Sequence, residues 1–190
     1  MRALYLHCIY VGRDFIPMIR SLLVVASVLA ASASTHVVSL AKNASEYGHS
    51  RAVMFSVEYP SRFTLLSVTA QVAATDIDGR VVLHVVHGHM ASDAVPVSTS
   101  TVAFDRKGSV TFWPRADLEA GLYTLYLHAR DARIVRISYD GAARATEGMT
   151  VSEGASSEPP PDDPFCQDVP DGCAVISGRM PQGSFSFSPI

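Results

Sequence analysis

Between residues 52 and 141 the sequence has no helix-length segment with apolar residues recurring every three to four positions. That excludes a helical bundle and the strand–helix alternation of a parallel α/β sheet. Lysine occurs only at Lys42 and Lys107, and the basic residues nowhere cluster, so no nucleic-acid partner is expected. Gly-x-Ser-x-Gly, His-Glu-x-x-His and a phosphate-binding glycine-rich loop are all missing. The sequence therefore points to no catalytic residue and no cofactor, and to a non-catalytic protein.

What is present near the start has the layout of a secretory signal. Met18-Ile19-Arg20 supplies a short positive segment, residues 22–31 an apolar one broken by Ser27, and Ala31-Ser32-Ala33 a small-x-small cleavage site. The apolar core is about ten residues, whereas a stable bilayer span takes about twenty. Cleavage would leave a mature chain starting at Ser34 or Thr35, secreted or on the extracellular face. Extension through His36 and Leu40 would make a signal anchor, the one way this sequence would touch a membrane. Asp14 and Pro17 interrupt what precedes, so Met18 reads as the natural start and Cys8 falls outside the mature fold.

Removing three arginines and Asp14 with that segment takes the 15 basic and 18 acidic residues to 12 and 17, a net charge of −5. The remaining Cys166 and Cys173 are an even pair in an exported chain and flank the turn-forming Pro170, Asp171 and Gly172. A small disulfide loop follows. A zinc half-site is the alternative, with no histidine or third cysteine nearby.

Seven short strands fit about ninety residues at the spacing of an all-β antiparallel sandwich, jelly-roll or immunoglobulin-like. Val53, Phe55 and Val57 alternate up to Tyr59-Pro60. Residues 63–73 alternate too, but Leu65 and Leu66 shift the phase, which predicts a β-bulge. Asp76-Ile77-Asp78-Gly79 predicts a turn into a returning strand over 80–86, and so a hairpin. Residues 97–104, 109–113, 121–129 and 133–139 are further strands. That over 121–129 is apolar on both faces and therefore central. The expected organisation is an upstream extension plus signal peptide or anchor at 1–34 and a sandwich at 35–141. A Pro/Ser/Glu-rich linker at 142–164 and the cysteine loop with a disordered tail at 165–190 complete it.

Several residues invite a functional reading. His87, His89 and His128 are the donors of a possible copper or zinc site, provided that Gly88 breaks the strand they share with His84. The plain alternative is polar residues at a strand end. Asp76, Asp78 and Gly79 open like a calcium loop, but Arg80-Val81-Val82-Leu83 follows where oxygen ligands are required. Asn43-Ala44-Ser45 is an N-glycosylation acceptor. Trp113 with Pro114, Phe104, Phe112, Tyr123 and Tyr126 could form a sugar-binding face, or simply core.

The run Ala120-Gly121-Leu122-Tyr123-Thr124-Leu125-Tyr126-Leu127-His128-Ala129, a turn, and Ile134-Val135-Arg136-Ile137-Ser138-Tyr139-Asp140 resembles the end of prepeptidase C-terminal-type sandwich domains. That resemblance implies a non-catalytic appendage of a secreted enzyme. Phe55-Ser56-Val57 with Pro60, and Tyr126-Leu127-His128-Ala129 after Gly121, resemble the extracellular β-domain of multi-pass membrane phospholipases that act on GPI anchors. This second resemblance implies an ectodomain fragment of a membrane enzyme. Neither carries an active-site residue onto this chain. The function expected is a secreted or cell-surface β-sandwich module that binds a protein or glycan.

Overall fold

The computed structural model describes residues 34–40, 47–74, 79–91, 93–104, 108–130, 132–138, 144–160, 162–163, 165–167 and 173–190. Ser34–Ile190 forms one compact unit. The signal segment and Asn43 lie outside the described residues, and among these no helix is long and apolar enough to cross a membrane.

The described residues form sixteen strands. The first six are β1 (His36–Ser39), β2 (Tyr47–Ser50), β3 (Ala52–Tyr59), β4 (Phe63–Ala74), β5 (Gly79–His87) and β6 (Pro96–Phe104). Then come β7 (Gly108–Phe112), β8 (Ala116–Leu118), β9 (Gly121–Ala129), β10 (Ala132–Ser138) and β11 (Arg144–Thr146). The last are β12 (Met149–Val151), β13 (Ala155–Ser157), β14 (Val175–Ser177), β15 (Met180–Pro181) and β16 (Gly183–Pro189). They make two antiparallel sheets. One runs β1-β16-β4-β10-β15 with β2, β7 and β8 attached; the other runs β11-β12-β3-β9-β5-β6, with β13 on β3 and β14 on β13.

Local pattern explains the strands. In β4 the buried residues are Phe63 and Leu65, then Val68, Ala70 and Val72, so the inward set changes phase at Leu66. The pairing records the same slip: Phe187 faces Leu65 but the preceding Ser186 faces Ser67, leaving Leu66 as the extra residue of the expected bulge. β9 lies between β3 and β5, the central place its two-faced apolar pattern predicts.

Inward residues of both sheets fall in one buried cluster. Tyr59 and Tyr123 of one sheet meet Phe63 and Phe187 of the other. Ring centroids lie 5.5 Å apart for Tyr59–Phe63, 5.3 Å for Tyr59–Phe187 and 6.0 Å for Phe63–Tyr123, all edge-on. Edge-on pairs add about 0.5–1.5 kcal/mol each beyond the area they bury.

Three expectations are corrected. β4 and β5 are not a hairpin: β5 pairs with β6 and β9, while β4 pairs with β16, β10, β7 and β8 in the other sheet. Asp76 and Asp78 lie outside the described residues, and the chain changes sheets between these strands because each apolar face needs the opposite layer to cover it. The region read as a linker contains β11, β12 and β13. The expected disordered tail is β16, hydrogen-bonded between β1 and β4, with Phe185 and Phe187 fully buried. His36 and Leu40, which would lengthen the apolar segment into an anchor, belong to this sheet and to its core.

Gly183 marks how tightly β16 is held, because a Cβ there would sit 1.8 Å from the Thr69 carbonyl oxygen. We expect Gly183→Ala to cost about 1–3 kcal/mol and Phe187→Ala about 3–5 kcal/mol in urea unfolding. Gly108→Ala, with nothing within 4 Å of the added carbon, should stay close to wild type. A Phe187→Ala protein as stable as the parent would mean that β16 is not part of the core.

Candidate functional site

Successive residues of β9 point to opposite faces, so Tyr123, Leu125, Leu127 and Ala129 enter the shared core while Thr124, Tyr126 and His128 face away from it. On that outer face the register sets His84 of β5 directly opposite Tyr126, and Val82 opposite His128. Tyr126 stacks with His128 at 6.3 Å between centroids and 4° between planes, and with His84 at 6.1 Å and 25°. An outer face of a two-sheet protein is ordinarily wet, yet Tyr126 is 1% and His128 2% exposed.

The cover is the segment that follows β13, here termed the strap, whose described residues are 158–160, 162–163 and 165–167. Phe165 caps the stack, 5.1 Å from the His84 ring and 5.8 Å from Tyr126. Ser50 donates its hydroxyl to the Ser157 carbonyl at 2.7 Å. Three arginines at strand ends hold the next turns. Arg51 donates from its backbone N–H to Glu158 Oε1 at 3.1 Å and from Nη1 to the Pro159 carbonyl at 3.0 Å; Arg133 pairs with Glu158; Arg130 Nη2 lies 2.6 Å from Asp162 Oδ1. The Cys166–Cys173 disulfide, with Cα atoms 5.7 Å apart, ties the strap to the approach of β14. The proline-rich composition that suggests a stalk therefore belongs to a covering segment, in which Pro159 and Pro160 have no backbone N–H to bury.

Burial governs the acid–base state of the stack. It raises the Tyr126 hydroxyl above the usual phenol range, with Asp163 adding to the rise and a hydrogen bond from Ser157 opposing it. Burial also lowers His84. His128 falls to about 4, first through burial and then through His84, Arg51 and Arg130, against a hydrogen bond to the Pro160 backbone that favours the charged ring. At neutral pH both imidazoles and the phenol are uncharged. His128 Nε2 is buried with no hydrogen-bond partner among the described residues.

The remaining histidines do not join them. His87 ends β5 opposite Tyr123, five positions along from the pair containing His128 and on the other face, a separation of about 17 Å. Gly88 ends the strand at φ 80°, and His87 and His89 are exposed. Among the described residues no three His, Cys, Asp or Glu side chains gather where a metal ion could be held. Of the aromatics proposed for a sugar face, Phe112, Tyr123 and Tyr126 are buried and Phe104 packs against the core. Trp113 stands apart at 63% exposure, in the loop between β7 and β8 where Arg115 adopts φ 46°.

A second feature was not legible in sequence. A cleft of about 350 Å³ opens between the strap and β14, lined by Ser50, Ser156, Ser157, Glu158, Ile176 and Arg179 among others. It is assembled from segments more than a hundred residues apart, so no local motif could have flagged it. No family model and no curated protein matches the chain.

The sealed imidazole makes a pH dependence. The pKa of His128 is lower in the folded protein than the ordinary 6.5, so on acidification the unfolded chain takes up its proton first. Stability is complete above about pH 6.5 and falls as the pH approaches 4, by on the order of 2 kcal/mol. Urea midpoints measured between pH 7 and 4.5 should decline, and His128→Phe, which keeps the stacking but not the titration, should flatten the decline. An unchanged slope in that variant would show that another group controls it.

Proposed function

We infer that the two sheets constitute a β-sandwich binding module, exported from the cell, that holds a protein or glycan ligand through the loop carrying Trp113. The observation that carries the reading is the exposure of this side chain. Every other aromatic raised as a candidate for a sugar face is spent on the core or beneath the strap, while the indole stands in solvent. Exposed tryptophan is uncommon on surfaces without a partner and dominates many binding interfaces, because one rigid ring gives a large apolar contact and an N–H donor. Beside it Arg115 occupies left-handed backbone, at a cost of about 1–3 kcal/mol of the kind that accumulates at recognition loops.

Export is supported by the signal-like layout of residues 18–33 and by the disulfide, which persists in oxidising compartments. Support for a binding role over catalysis comes from the site chemistry. Tyr126 and His128 at the middle of the sheet are neutral and almost fully buried, and Phe165 of the strap lies against the half-buried ring of His84.

Trp113 is the single tryptophan, so its fluorescence reports the loop directly. Titration with a panel of oligosaccharides and with glycosylated and deglycosylated cell-surface proteins should shift the emission of the wild type for one class. Trp113→Ala should weaken binding to that class by about thirtyfold or more while leaving the unfolding midpoint nearly unchanged. Full binding by Trp113→Ala would remove this loop from the recognition surface.

A further inference from the structure

We propose that two copies of this chain associate through the free edge of β6, antiparallel to one another, about a two-fold axis at Ser100. Among the described residues β6 pairs only with β5, so its second row of backbone N–H and C=O groups has no strand partner. At nine residues it is the longest such edge: β1, β2, β7, β8, β11, β14 and β15 have two to five residues each. Monomeric proteins protect long edges with charge, proline, bulges or very short strands; in β6 the proline and the register shift lie only at its start, Pro96 and Val97, and residues 98–104 carry neither. β6 reads Pro-Val-Ser-Thr-Ser-Thr-Val-Ala-Phe and carries no charge at all, and its residues alternate half-buried and exposed from end to end.

The sequence is complementary to its own reverse. With Ser100 on the axis, Thr99 of each copy faces Thr101 of the other, a favourable cross-strand pair. Because the contact is isologous it closes at two copies and leaves no β6 edge to propagate. The path β11-β12-β3-β9-β5-β6 would continue through the partner's strands in reverse order as a single sheet. Main-chain pairing along one strand is a small interface, so the association is weak and concentration-dependent. It uses no residue of the Trp113 loop and stands whether or not that loop binds a ligand.

Sedimentation velocity of the full chain, as processed by its producing cell, over a hundredfold concentration range tests this. The wild type should pass from monomer to dimer. Thr99→Lys/Thr101→Lys sets like charges opposite each other across the axis, and Thr99→Glu/Thr101→Glu does so with the other sign. Both should be monomeric at every concentration. Thr99→Glu/Thr101→Lys pairs each glutamate with the partner's lysine and should restore the dimer. All four positions substituted across the pair are exposed, and circular dichroism verifies that each variant is folded. A wild type that stays monomeric, a dimer that survives either like-charge pair, or a failure of the Glu/Lys pair to restore it would overturn the proposal.

Discussion

Strand β9 has no solvent face, and the rest of the molecule is arranged to satisfy that condition. Its inward residues Tyr123, Leu125, Leu127 and Ala129 need the opposing sheet. Its outward residues Tyr126 and His128 are bulky, partly polar and equally buried, and need a second cover on the side where a two-sheet protein normally meets water. A third layer does this, made of the strap and its disulfide, and the charges at its margins follow from what it must do. Burying an aromatic–imidazole stack costs little while the rings are neutral. The arginines then sit at the rim, where Arg130 and Arg133 can meet Asp162 and Glu158 and remain partly solvated. Surface pairs of this kind contribute at most about 1 kcal/mol each, so they direct where the strap lies more than they hold it down.

Much of the strand content was legible because a two-residue period is a local property. The slip at Leu65-Leu66 was readable as a bulge for the same reason, and β9 as central because both its parities are apolar. Pairing partners were not legible. The turn-rich Asp76-Ile77-Asp78-Gly79 looks the same whether the chain returns along its own sheet or crosses to the other, and only the global demand for two covered faces decides between them. β16 was missed for a compositional reason: glycine, serine and proline hid the spacing of Phe185 and Phe187, which is itself a two-residue period.

The histidines show the limit at a finer scale. Their sequence spacing drew attention to His87 and His89, which the structure leaves exposed, whereas His84 and His128 meet around Tyr126. The meeting depends on the register of β5 against β9, and a shift of one residue would send each side chain to the opposite face. No feature near His128 in the sequence announces that the Pro160 backbone will hydrogen-bond to its ring, or that Phe165 will close over His84 and Tyr126 beside it.

The position of β16 has a consequence for how the molecule comes into being. It lies between β1 and β4, so a strand from the first part of the compact unit and one from its middle meet only across residues 183–189. A ribosome delivers those residues after every other strand of the unit. Until then one edge of β4 lacks its partner along Phe63–Ala70, and Phe63 and Tyr59 lack the ring of Phe187. The nascent polypeptide is thus kept from completing its core until synthesis has passed residue 189. Whatever chaperone receives it meets a chain whose core is still open.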